Sequence, residues 1–260
     1  MQKLPLHRFS EFVCLTSAEV HAIERLSVDR LHLKRHDTLR SQGDPVRDVY
    51  LLVEGWVGSC VDVATGTRQM VKVHLPGDLL GTPSITVRAA ADTLVALKRT
   101  TVEVIPVTAL AELFMSMPRV AAGLYLTSLK ERVFLMDRLT SVARTNAVQR
   151  LAAFLVSIHE RLLLAGLEGP QFDLPLSQIE LADVIGITPV HANRTWAQLE
   201  RTGLVRRSGK TVSLVDIEGL RDLGAVPDRR FERLREWSAL GTDKSPWQAD
   251  RSVAPGSTRA

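Results

Sequence analysis

From Thr188 to Val212 the charged residues are Arg194, Arg201, Arg206, Arg207 and Lys210 against Glu200 alone. A local surplus of guanidinium and ammonium groups suits contacts to phosphate oxygens, which supply much of a protein's affinity for nucleic acid. The same stretch carries side chains that read base edges. Asparagine pairs with adenine, arginine with guanine, and a small apolar group touches the thymine methyl. Asn193, Arg194 and Val190 supply those three chemistries close together. His191 faces a phosphate, a base or solvent. Ser177, Gln178, Thr188, Pro189, Arg201 and Lys210 complete the candidate contact residues.

Catalytic chemistry fits the sequence less well. A metal oxygenase on a jelly roll needs a tight cluster of histidines and a carboxylate. His32 and His36 are the close pair, and in a strand residues four apart sit about 13 Å from each other. No nucleophile elbow, phosphate loop or zinc-protease motif occurs. The chain is therefore not expected to be an enzyme.

The candidate contacts need elements to hold them. Ser177-Gln178-Ile179-Glu180 is a capping box that predicts a helix to about Ile185. Gly186-Ile187-Thr188 predicts a tight turn, with glycine free to take a left-handed conformation. Thr188 suits the N-cap and Pro189 the first position of a second helix, to about Arg201. Ala182 is small where the two helices approach, and Leu181, Ile185, Ile187 and Leu199 can bury the pair. Leu204 to Val215 then reads as strand, turn and strand. Two helices, a glycine turn and a hairpin make a winged helix-turn-helix, whose second helix reads bases from its N-terminal end. The competing reading is a helical hairpin that contacts a protein partner.

Upstream, Pro118 to Arg144 has no internal proline. Ala122, Leu126, Leu129, Val133 and Met136 are spaced four and three apart, the seam of a helix that pairs with a twin. Leu124, Leu135 and Leu139 add apolar surface elsewhere, as expected of a helix with two things to pack against. Between Val28 and Pro106, short β-prone runs alternate with glycine turns, which suggests a sandwich or barrel. Thr16 to Glu19 is a second capping box. Thr108 to Met117 reads as a connector and Asn146 to Leu164 as one helix. Residues 1–117 thus form a β domain with flanking helices, 118–144 a dimerisation helix and hinge, and 145–223 the DNA-binding domain. In the tail, 224–260, a helix over Arg229–Trp237 and disorder from Gly241 to Ala260 are predicted.

Composition agrees without deciding. A net charge of +4 permits nucleic-acid binding. Two cysteines, Cys14 and Cys60, exclude a disulfide framework and a structural zinc set. No apolar run approaches the roughly 18 residues of a membrane span. The start MQKLPLHRFSEF has no uninterrupted apolar core, so a cytoplasmic location is expected.

The sequence resembles the Crp/Fnr regulators over about Leu15 to Leu223. Gln42-Gly43-Asp44-Pro45, Val49 to Val57 and Leu75-Pro76-Gly77-Asp78 carry the resemblance in the N-terminal half. Leu176 to Thr188, Asn193-Arg194 and Leu199-Glu200 carry it in the C-terminal half. The resemblance implies an α+β fold: an N-terminal double-stranded β-helix (a jelly roll of the cyclic-nucleotide-binding type), a long dimerisation helix and a C-terminal winged helix-turn-helix. It also implies palindromic double-stranded DNA sites, a homodimer, RNA polymerase as partner, and a hinge near Thr140 to Arg144. Arg194 falls at the family's base-reading arginine and Asn193 beside it. Pro189 and Val190 stand where better-known members have polar residues, so a different half-site is expected.

The sensor departs from the nucleotide-binding members. Those hold ribose with a Gly-Glu pair and phosphate with an Arg-Ser pair. Here the segments read Gly81-Thr82-Pro83-Ser84 and Ala91-Asp92-Thr93-Leu94. No arginine falls at the phosphate position, Asp92 lies near it, and Arg88 is wrongly spaced, so cyclic AMP is not expected to bind. Two cysteines cannot supply the four thiolates of an iron–sulfur cluster. Haem stays open, with His7, His21, His32, His36, His74 or Cys60 as ligand. Cys14 is expected to be a small buried residue rather than a redox thiol. The alternative reading is a regulator whose DNA binding requires a small molecule, or a haem that senses a gas.

Overall fold

The computed structural model describes residues 3–64, 66–229 and 231. Helix α1 (Ser17–Glu24) starts at the predicted Thr16–Glu19 capping box. Eight strands follow: β1 (Asp29–Leu33), β2 (Thr38–Arg40), β3 (Asp48–Glu54), β4 (Val57–Asp62), β5 (Arg68–His74), β6 (Leu79–Leu80), β7 (Thr93–Ala96) and β8 (Thr100–Pro106). They pair antiparallel in two four-stranded sheets, β1-β8-β3-β6 and β2-β7-β4-β5. Side chains alternate across β3. Tyr50 and Leu52 join Val57, Leu80, Leu94, Val102 and Val104 between the sheets. Val49 and Leu51 face the other way, into a second core with Phe9, Ile23, Leu110, Leu113 and Val120. Gly55, at φ +93°, makes the turn from β3 to β4, where a Cβ would lie 2.4 Å from Thr100 Oγ1.

That second core exists because α2 (Val107–Ser116) and the start of α3 (Pro118–Arg144) cover the outer face of the roll. The 27-residue α3 buries Val120, Gly123, Thr127 and Lys130. These rest on the N-terminal segment, with the Thr127 hydroxyl donating to the Arg8 carbonyl at 3.1 Å. The helix thus packs partly on residues 8–13, which the sequence left unassigned.

Behind α3 lies a buried charge network. Arg8 meets Glu11 at 2.8 Å and Asp78 at 3.2 Å, and also pairs with Glu131. Lys72 pairs with Glu131 and Lys130 with Glu11. Burial alone would raise the Asp78 carboxyl. Arg161, Lys72 and Arg8 outweigh it and hold Asp78 well below the ordinary range. The same contest, with Lys72 as the leading cation, takes Glu131 down to about 2.

The C-terminal domain begins with α4 (Ala147–Leu164), capped by Asn146 with Gln149 at 3.0 Å both ways. It continues through β9 (Gln171–Asp173), α5 (Gln178–Ile185), α6 (Pro189–Arg201), β10 (Val205–Ser208), β11 (Thr211–Leu214) and α7 (Ile217–Leu223). The predicted hairpin is part of a three-stranded sheet, because β9 adds to β11 and buries Phe172. The domain ends in α7, N-capped by Asp216, rather than in the hairpin.

This domain leans on its own β-roll. Trp56, Met70, Val73, Leu75 and Leu97 share a core with Leu151, Leu155, Leu181 and Leu199. The Met70 N–H donates to Asp183 Oδ2 at 2.8 Å. Arg138 on α3 donates to the Val71 carbonyl at 2.6 Å and to the Val184 carbonyl. After α7 the chain returns to α3. Arg229 binds both Asp137 oxygens at 2.6 and 3.1 Å, and the Phe231 ring meets Phe134 edge-on at 5.5 Å. The predicted tail helix, apart from Arg229 and Phe231, and the predicted disorder lie outside the described residues.

Candidate nucleic-acid interface

The interface is assembled from local rules. Ser177 Oγ accepts from the Glu180 N–H at 3.2 Å, and Glu180 Oε2 accepts from the Ser177 N–H at 2.6 Å. Burial would raise the Glu180 carboxyl, but the Ser177 backbone and hydroxyl and then Arg35 carry it below its ordinary value. Gly186 closes α5 at φ +70°. The Ile187 N–H returns to the Ala182 carbonyl at 2.9 Å, which turns the chain toward α6. Thr188 Oγ1 accepts from the His191 N–H at 3.4 Å, with Pro189 at the first helical position.

Two faces of α6 have opposite duties. Ala192, Thr195, Trp196 and Leu199 are buried against α4 and α5. Val190, Asn193, Arg194, Ala197 and Arg201 share the opposite stripe and are all exposed, Val190 by 72%. The reading end coincides with the helix N-terminus, where unpaired N–H groups and the helix dipole favour anions. Asn193 Nδ2 donates to Gln178 Oε1 at 3.0 Å, so the N-terminal turns of α5 and α6 meet. Docking on the β-roll uses Asp183 and Val184 and leaves this stripe uncovered.

The structure thus brings Ser177, Gln178, Thr188, Pro189, Val190, His191, Asn193 and Arg194 to one surface. Arg201 lies at the far end of the stripe, and Lys210 at the tip of the β10–β11 turn. Arg194, Arg201, Arg206 and Lys210 are exposed and, among the described residues, sit in no ion pair. Arg207, in the same basic stretch, is also engaged within the domain. Its guanidinium lies 4.9 Å from the centre of the Trp196 ring and its Nε donates to the Gly209 carbonyl at 2.9 Å. It secures the wing to α6. A long-range stack leaves no mark in local sequence, so this use was not legible.

On α3, Leu129 and Met136 are exposed, by 38% and 62%, while Ala122, Leu126 and Val133 are half-buried. Tyr125, Leu135 and Leu139 extend the exposed apolar surface. Tyr125 was missed, although it flanks Ala122 and Leu129 at helical spacing.

The candidate cofactor ligands are dispersed. His21 bonds to the Ser17 carbonyl, His32 to Thr101, His36 to Arg35, and His74 lies beside Asp78. His7 packs on Gly77. Among the described residues no three His, Cys, Asp or Glu side chains gather to hold a metal. Burial pushes the Cys60 thiol up to about 11, which disfavours a thiolate ligand. Cys14 is exposed rather than buried. No single helix is long and apolar enough to cross a membrane among the described residues.

A β-roll joined by a long helix to a winged helix-turn-helix defines a DNA-binding transcription regulator with a sensor-type domain. Comparison with known proteins agrees. Residues 149–223 match the Crp-like helix-turn-helix domain and residues 30–117 the cyclic nucleotide-binding domain. The transcriptional regulatory protein btr of Bordetella pertussis is 26% identical over 211 residues, 81% of this chain and 87% of that protein. The transcriptional activator protein FnrA of Stutzerimonas stutzeri is 28% identical over 188 residues, 72% of this chain and 77% of that protein. The solved structure of FixK2 from Bradyrhizobium japonicum superposes with a TM-score of 0.69 at 24% identity, over 76% of this chain and 98% of that one. The chain belongs to the Crp/Fnr family of transcriptional regulators.

Proposed function

We propose that the chain acts as a homodimer that reads an inverted repeat in duplex DNA, one half-site per α6, and needs no cyclic nucleotide to do so. The observation that carries the reading is the exposed stripe Val190, Asn193, Arg194, Ala197 and Arg201, joined to Gln178 at its reading end. Arg194 reads a guanine, Asn193 or Gln178 an adenine, and Val190 a thymine methyl. Ser177, Thr188, Arg201 and Lys210 hold phosphates, and His191 a phosphate or a base. The twin helices meet along Ala122, Leu126, Leu129, Val133 and Met136. FnrA is named as a transcriptional activator. An activating role, with RNA polymerase as partner and the cytoplasm as location, follows from that kinship.

Salt dependence tests the mode of contact. Each phosphate contact contributes about −0.9 to the slope of log affinity against log salt. Binding to duplex DNA is expected to weaken steeply with salt, and Lys210→Ala to flatten the slope by about 1 per subunit. Affinity insensitive to salt would mean that the helix-turn-helix contacts something other than a polyanion.

A further inference from the structure

The β-roll holds a buried arginine that the sequence does not single out. Arg40, the last residue of β2, is 5% exposed. Its Nη2 donates to Asp92 Oδ1 at 2.7 Å and to Ser84 Oγ at 3.1 Å. The other Asp92 oxygen accepts the Ser59 hydroxyl, and Ser84 Oγ also accepts from the Ala91 N–H at 3.1 Å. Gly81, at φ +80°, lies against the guanidinium: a Cβ there would sit 2.6 Å from Arg40 Nη1. Gly81 to Ser84 and Ala91 to Leu94 are the two segments at which the family resemblance places the ribose and phosphate contacts. Arg40 is therefore the cation that those segments lack, delivered from a different strand. It already has an anion.

These residues do not fit a cyclic nucleotide. A phosphate entering here would meet the Asp92 carboxylate before it met a free cation. Arg40 cannot shed its charge, unlike a buried lysine or histidine, so it must keep an anionic partner wherever water is excluded. Its Nε and Nη1 remain buried without partners, which leaves the guanidinium dependent on the one carboxylate it has. The Asp92 side chain is 14% exposed against 4% for Arg40, so it is the more accessible member of the pair.

We propose that Asp92 is the resident anion of this pocket. The Arg40–Asp92 pair, bracketed by Ser59 and Ser84, takes the place of a ligand phosphate, so that the buried arginine needs no anionic effector. Removing the carboxylate should turn the pocket into a receptor for a small carboxylate or oxyanion. The inference rests on the reading of this chain as a regulator that needs no cyclic nucleotide, and its test is independent of DNA.

The test is chemical rescue of the full chain, followed by thermal melting. Asp92→Ala is expected to lower the Tm by roughly 6–12 °C, the scale for one broken buried pair in a chain of this size. Acetate, formate or inorganic phosphate should recover at least half of that loss saturably, against chloride at equal ionic strength. Arg40→Met in the same background should abolish the rescue. Asp92→Asn removes the charge but leaves no room, so it should be destabilised and not rescued. If Asp92→Ala fails to fold in chloride, refolding in acetate against chloride gives the same comparison. No loss of Tm in Asp92→Ala, or equal behaviour in acetate and chloride, would overturn the proposal. A saturable shift of the wild type by cyclic AMP would instead overturn the nucleotide-independent reading, a result the variants do not mimic.

Discussion

Arg194→Ala is expected to weaken binding to the preferred site by about 1–3 kcal/mol per half-site and to relax selection at one base position in each half. Arg194 is exposed beside Asn193, on the face of α6 away from its buried Ala192, Thr195, Trp196 and Leu199. The substitution therefore removes a contact to DNA and none from the core. Two half-sites nearly add when they are well separated, giving about 2–6 kcal/mol for the dimer. Binding to random DNA should fall much less, because the other cations remain. Electrophoretic mobility shifts on the preferred and on scrambled duplexes measure both quantities. An equal loss on both would reassign Arg194 to a phosphate, and no loss on either would remove it from the interface.

Leu129→Glu is expected to convert the dimer to monomers. Leu129 is 38% exposed and lies outside the chain's own cores, so the variant subunit should still fold, losing only the stability that association adds. In a two-fold interface the same patch meets itself, and the substitution sets two carboxylates against each other on an apolar seam. Each buried, unpaired charge costs several kcal/mol. Light scattering at micromolar protein should give half the wild-type mass. Affinity for a palindrome should fall about 10²–10⁴-fold through lost bivalency, while contacts to a single half-site survive. An unchanged dimer would show that another surface makes the interface.

The DNA-binding half was legible because its signals are local. Ser177 and Glu180, Gly186, Thr188 and Pro189 each fix one bond or one dihedral within four residues, and every one falls where it was read. The seam of α3 was legible as a spacing, but not which part of it the chain buries itself. That depends on residues 8–13, which are far away in sequence. The contacts of Asp183 with Met70 and of Arg138 with Val71 and Val184 join three elements whose proximity no local pattern encodes. Arg40 was overlooked for a related reason. The two segments flanking Asp92 carry no cation of their own; it comes from β2, 52 positions before Asp92, and no local pattern marks it. β9 escaped because a three-residue strand carries too little alternation to stand out.

The measurement that bears most directly on the account is selection of genomic DNA fragments by the purified full-length protein with no effector added, followed by sequencing. The account predicts enrichment of an inverted repeat with half-sites about one helical turn apart, centre to centre. It also predicts that Arg194→Ala weakens the enrichment and relaxes one base position in each half, and that added cyclic AMP changes neither. Absence of any enriched repeat, or enrichment only when a small molecule is supplied, would contradict it.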